Sequence, residues 1–244
     1  MITVDFKRLS PKPGDKILDM GCGEGRHTAR ASEFTGTLCV GSDMCHDDLV
    51  TAGKKLTFHH QLIPGPGGKW TLARSDIGKL PFKSGSFDLV LCSEVMEHIR
   101  EEKTALQELV RVLKPGGTLA ITVPRYWPEK LCWALSREYC NSPGGHIRIY
   151  HGTRLMEQVR HQGMISMGGH HAHALHTLYW WLKCLVGIHR TDSALVNAYH
   201  GLLVWDLMKK PAITGLVERL LNPILGKSMA LYFKKPLRTT DEIT

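Results

Sequence analysis

The densest chemical signal in the chain is a glycine run, Asp19-Met-Gly21-Cys22-Gly23-Glu-Gly25, directly after the apolar stretch Lys16-Ile-Leu-Asp-Met20. Glycines at a strand-to-helix turn supply positive φ and let the backbone approach a ligand closely. The helix that follows offers unpaired N–H groups to a negative group. With glycines at 21, 23 and 25, the spacing departs from the GxGxxG of dinucleotide binders. The turn alone suits nucleotide, flavin and adenosyl ligands. Histidines form the second signal. His98 follows a strong strand pattern, and His146 sits in Gly144-Gly-His-Ile-Arg148-Ile-Tyr150. Either could take a proton from a hydroxyl, since imidazole titrates near neutrality; either could equally bond the backbone. In His170-His171-Ala-His173-Ala-His176, a strand would put His171 and His173 on one face and a helix would pair His173 with His176. No carboxylates cluster beside this run, so no metal is expected, and hydrogen bonding to an acceptor by His171 and His173 is the sharper reading.

These residues need a frame. The first half alternates apolar runs with amphipathic ones: strands at 16–20, 37–41, 70–73, 86–92 and 118–123, and a helix over 101–113 with Leu106, Leu109, Val110 and Leu113 on one face. Lys114-Pro-Gly-Gly117 reads as the turn between that helix and the next strand, and 64–68 as a loop within the domain. Such βαβ rhythm predicts a parallel sheet covered on both faces. After Pro124 the pattern predicts a helix over 129–139, a Pro143-Gly-Gly145 turn, a helix over 153–161 capped by Thr153, a strand near Met164, helices through 174–222 and a last strand at 229–233 before a polar tail.

At 244 residues, with 43% hydrophobic and 22% charged residues, the chain fits one globular domain. The N-terminus lacks the apolar core of a secretory signal, and seven cysteines without CxxC pairs fit reduced thiols, so a cytoplasmic location is expected. The charge of +8 is uneven: residues 125–244 hold 15 Lys/Arg against 8 Asp/Glu. That asymmetry suits a solvated basic face, nucleic acid or an anionic membrane surface. Tyr179, Trp180, Trp181 and Trp205 beside Lys209, Lys210 and Arg219 extend the membrane reading to peripheral contact.

Taken together, residues 16–123 resemble class I S-adenosylmethionine-dependent methyltransferases of the ubiquinone-biosynthesis-like group. The resemblance implies an α/β, Rossmann-like, seven-stranded, mostly parallel sheet with helices on both faces. A cofactor half would span 1–124 and a substrate half 125–244, the latter with a helical insertion over about 174–226. It implies S-adenosylmethionine as cofactor and S-adenosylhomocysteine as product. Asp19, Gly21, Cys22, Gly23 and Gly25 would hold the methionine part. Asp43, with Met44 beside it, would bind the ribose diol through two acceptor oxygens. Asp76 and Ile77 would flank the adenine, and Ser93 would close the site after the fourth strand. His146 and His98 are the candidate bases, with Tyr126, Trp127, Arg148, His171 and His173 toward the acceptor. Cys22 and Cys92 lack the Pro-Cys setting of pyrimidine-carbon methylation, and Leu91-Cys-Ser-Glu94 stands where amine methylation of bases expects Asn/Asp-Pro-Pro-Tyr. The acceptor expected is therefore a small or lipid-linked molecule, with hydroxyl oxygen first. An RNA methyltransferase or a non-catalytic cofactor binder is the alternative. Asp43→Ala should cost on the order of 1–3 kcal/mol of cofactor binding through lost charge-assisted hydrogen bonds, measured by calorimetry.

Overall fold

The central strands are apolar on both faces, as burial beneath two helical layers demands. In the computed structural model, which describes residues 1–62, 65, 67–142 and 144–237, β1 (Lys16–Met20) runs parallel to β2 (Leu38–Asp43) on one side and to β4 (Phe87–Ser93) on the other. β3 (Lys69–Arg74) extends the sheet from β2, and β5 (Leu113–Pro124) from β4, both parallel. β7 (Ser228–Lys234) is antiparallel to both β5 and β6 (Ile165–Ala172), giving the order β3-β2-β1-β4-β5-β7-β6. This is the mostly parallel seven-stranded sheet the resemblance implies. Pro64, Pro66, Pro143 and the polar tail from residue 238 lie outside the described residues, so the 64–68 loop and the Pro143 turn are seen only in part.

Side-chain alternation splits the core in two. Leu18, Val90, Cys92, Leu119 and Ile121 face one cluster, into which α4 (Glu102–Val112) and α7 (Gly152–Arg160) insert Leu106, Leu109, Leu155 and Val159. Ile17, Leu89, Leu91 and Ala120 face the other, covered by α1 (Phe6–Leu9) and α2 (Arg26–Ala31) through Phe6, Leu9 and Ala31. On α4 the apolar stripe is as expected, except that Leu113 already begins β5 and Val110 is only half-buried. Lys114-Pro-Gly-Gly117 is not a separate turn. It is an irregularity inside β5, where the register with β4 jumps from Phe87↔Leu113 to Leu89↔Thr118 and Gly116 adopts φ 74°.

The expected helix over 129–139 is two helices, α5 (Tyr126–Leu135) and α6 (Arg137–Cys140). Ser136 is extended between them, and its hydroxyl accepts from the Tyr139 N–H, capping the second. Thr153 does not cap α7, which begins at Gly152 after His151 with no side-chain cap. Between β6 and β7 stand α8 (Ala174–Val186), α9 (Ala194–Lys209) and α10 (Ala212–Leu225), the helical insertion. No helix among the described residues is long and apolar enough to cross a membrane.

The N-terminal segment is tied to α2: Thr3 N–H donates to His27 Nε2 at 3.2 Å. His27 is buried, and burial with the charge of Arg26 depresses its pKa to about 3. A folded-state pKa below the unfolded value of about 6.5 favours the fold above pH 6.5 and works against it as pH falls toward 3. His27→Gln, which keeps an acceptor, should therefore close its stability gap to wild type by up to about 1 kcal/mol per pH unit between pH 6 and 4, read from urea midpoints.

Candidate active site

The turn between β1 and α2 takes its shape from the end of β2. Gly21 N–H and Cys22 N–H both donate to the Ser42 carbonyl, at 2.7 and 3.0 Å, and Gly23 N–H donates to Asp43 Oδ2 at 2.8 Å. Gly21, Gly23 and Gly25 have φ of 71°, 49° and 83°. A Cβ on Gly21 would lie 2.2 Å from Val95, whereas one on Gly23 would meet nothing within 4 Å and project into open space. That space is a cavity of about 460 Å³ lined by Gly21, Cys22, Gly23, Gly25, Ser93 and Glu94, with Arg26 and Lys55 at its polar side. Asp43 abuts it through Gly23, and its Oδ1 accepts from Cys45 N–H at 2.9 Å.

Asp19 stands one layer behind. Its buried carboxylate accepts from Thr28 Oγ1 at 2.7 Å, holding α2 against β1, and burial lifts its pKa to about 6. Met44 is exposed, with its carbonyl accepting from Arg74 Nε at 3.0 Å. Asp76 Oδ1 is occupied by the Gly78 N–H at 2.8 Å, and Ile77 is buried in the larger core cluster.

A second cavity, about 430 Å³, opens between His98, His146, Tyr139, Trp180 and Lys227, and Glu94 borders it too. Glu94 therefore separates the glycine-turn cavity from the histidine cavity. Its backbone is in the left-handed region, φ 56°, after β4; its N–H donates to the Thr122 carbonyl at 2.9 Å, and Thr122 Oγ1 donates to Oε1 at 3.0 Å. Burial raises its pKa against the opposing charge of Lys227. Glu97, fully buried and with neither oxygen partnered, is pushed well above the carboxylate range by burial and by Glu94.

His146 is oriented by a residue that sequence reasoning treated only as the start of a helix. Glu129 Oε1 lies 2.6 Å from His146 Nδ1, and its Oε2 accepts from Tyr139 Oη and Lys227 Nζ, each at 3.3 Å. Burial alone would raise the Glu129 pKa. The His146 hydrogen bond and the Lys227 charge overcome that and bring it to about 2. An ionised carboxylate only accepts, so Nδ1 carries a proton, and in the neutral imidazole Nε2 is then the acceptor. His98 Nδ1 points at the Gly145 carbonyl, 3.1 Å away, and its ring centroid is 5.1 Å from that of His146. Burial and His146 lower its pKa.

Other expected acceptor residues are engaged elsewhere. Arg148 donates to Glu102 Oε2 at 2.8 Å and to the Arg100 carbonyl at 3.0 Å, so it locks the 146–150 segment to α4. Tyr126 stacks on His151, centroids 3.6 Å apart, and Trp127 packs on Trp181 at 5.4 Å. The aromatic walls are instead Tyr139 and Trp180. The chain turns from strand to helix at His173 (φ 69°), so His173 meets His176, centroids 5.8 Å apart, while His171 stays behind on β6. Among the described residues, Glu97 with His98 and His146, and His173 with His176 and Glu218, have donor atoms close enough to hold a metal ion. Glu129, Tyr139, Lys227 and Trp180 carried no local signal; they meet only through tertiary packing.

Residues 18–121 match the methyltransferase domain family. Over 145 residues the chain is 30% identical to a sterol 24-C-methyltransferase of Yarrowia lipolytica, covering 59% of this chain and 34% of that one. Over 115 residues it is 35% identical to a demethylmenaquinone methyltransferase of Corynebacterium kroppenstedtii, covering 47% and 44%. The chain thus spans less than half the length of these relatives. An S-adenosylmethionine-dependent methyltransferase structure from Methanosarcina mazei superposes with a TM-score of 0.62 at 15% identity, covering 98% of this chain and all of that one, a likeness of fold.

Lys227→Met takes a positive neighbour from the buried Glu129 carboxylate. It should lower stability by about 1–3 kcal/mol, less than for a fully buried pair because Lys227 is partly solvated, with Lys227→Arg close to wild type in denaturant melts.

Proposed function

We propose that this chain, whose residues 18–121 match the methyltransferase domain family, binds S-adenosylmethionine in the glycine-turn cavity and methylates a hydroxyl oxygen of a small or lipid-linked acceptor held against His146. The cavity fits the group: a side chain at Gly23 would occupy it. Gly25, Arg26 and His27 at the start of α2 and Glu94 line it, and the Asp43 carboxylate at its edge keeps lone pairs beyond its two backbone bonds. When bound, the cofactor supplies an electrophilic sulfonium methyl, and S-adenosylhomocysteine is what is left after transfer.

The chain's own work is alignment, exclusion of water and removal of a proton. The reading rests above all on Glu94 bordering both cavities, which makes the base and the cofactor cavity neighbours. In this reading His146 Nε2 accepts the acceptor's hydroxyl proton as the new carbon–oxygen bond forms. Glu129 fixes the tautomer and balances the resulting imidazolium. Tyr139 and Lys227 in turn hold Glu129 in place. The seven free cysteines suit the cytoplasmic location that belongs to the same proposal.

Labelled S-adenosylmethionine incubated with the protein and with separated metabolite, lipid and RNA fractions should place label in the metabolite or lipid pool; label confined to RNA would overturn the acceptor class. With the acceptor in hand, His146→Gln and Glu129→Gln should each lower kcat by about 10²–10⁴-fold while calorimetric cofactor affinity stays near wild type. Full turnover in His146→Gln would remove it as the base.

A further inference from the structure

A further cavity belongs to neither of the two already described. About 650 Å³ in volume, it lies within the insertion, between α8, α9, α10 and the N-terminal residues, and its apolar wall is formed by Met1, Ile2, Trp180, Leu203, Val204 and Leu207. Three of its polar groups are engaged by the protein, while His176 Nδ1 is buried there without a hydrogen-bond partner. Asp206 accepts from Thr214, Glu218 Oε1 accepts from the Leu175 N–H at 3.2 Å, and His173 Nε2 shares a hydrogen bond with Thr3 Oγ1 at 3.2 Å. What remains is a mostly apolar hollow of the size that holds small-molecule ligands.

Its position gives it a purpose. Trp180 lines this cavity and also the histidine cavity, so the two meet at its side chain. Around it, α9 and α10 expose Leu202, Trp205, Met208, Ile213, Leu216 and Leu220 to solvent. An apolar surface of that extent on a soluble chain marks a site where apolar matter is handled. Lys210 lines the same cavity, and Lys209, Lys210 and Arg219 form no ion pair within 4 Å among the described residues, which suits an acidic or phosphorylated amphiphile.

We propose that the cavity between α8, α9 and α10 is the binding site for the apolar chain of an amphiphilic acceptor, whose hydroxyl-bearing end passes Trp180 to reach His146. The inference rests on the methyl-transfer reading for its direction, but the cavity can be tested without it.

Gly215 lines the cavity, and a Cβ there meets nothing within 4 Å; Gly201 on α9 is equally open but lies outside the lining. Both sit in helices, so replacing either glycine favours folding. The probe is 11-(dansylamino)undecanoic acid, followed by its fluorescence. Wild type and Gly201→Phe should bind it alike, Gly215→Phe about tenfold or more weakly, with cofactor affinity the same in all three. No binding of the probe by wild type, or equal binding by Gly215→Phe, would overturn the cavity assignment. Probe binding that behaves as expected in a protein that fails to bind S-adenosylmethionine would instead overturn the methyl-transfer reading and leave the chain-binding cavity standing.

Discussion

Two adjacent backbone N–H groups, those of Gly21 and Cys22, share one acceptor, the carbonyl of Ser42, and the next donor along, Gly23, goes to the side chain of Asp43. Everything at the carboxyl edge of the sheet depends on this junction. It ties the loop after β1 to the end of β2, and the Ser42 hydroxyl continues the tie to β3 through Ser75 Oγ at 2.6 Å and the Ala73 carbonyl at 2.9 Å. Asp19 pins α2 to β1 from below through Thr28. The glycine turn is thus shaped by bonds internal to the protein. A ligand arriving there meets a backbone already shaped, with little ordering entropy left to lose.

The parallel pairing of β1 with both β2 and β4 places that junction where the chain's connections part to opposite sides, the crevice in which open α/β sheets hold ligands. On the other side of the crevice the chain departs from β4 through Glu94, in a conformation uncommon for a residue with a side chain. Bonds from Thr122 to both its backbone and its carboxyl offset that strain. Two carboxyl groups in contrasting environments are gathered here: Glu129, held low by His146 and Lys227, and Glu97, pushed up by burial and by Glu94.

What the sequence disclosed followed distance along the chain. The glycine turn after β1 and the apolar stripe of α4 are local patterns and were legible, whereas the bonds from Ser42 and Asp43 that shape the turn come from some twenty residues away. Ser136 was not legible, because it breaks a continuous helical pattern by capping the next helix with its own hydroxyl. Arg148, Tyr126 and Trp127 have the residue types of a ligand wall, but side-chain type does not say which partner wins; Glu102, His151 and Trp181 do. His146 was readable as a candidate base, whereas Glu129 became its partner only once α5 packed beside the 144–147 segment. In the histidine run, pairing depended on where strand gives way to helix, and His173 in its left-handed conformation decided it.

The insertion leaves β6 after Ala172 and rejoins the sheet at Ser228, and these two residues face each other across the β6–β7 ladder. Entry and exit thus share one rung of a hairpin, the smallest attachment that antiparallel neighbours allow. A tight turn would close the same gap without shifting any strand. The architecture is therefore modular at that rung: helices of other lengths fit onto it while the sheet beneath keeps its register. The stretch that matches a family model, residues 18–121, ends well before this rung, which is what interchangeable parts on a fixed chassis would look like in sequence.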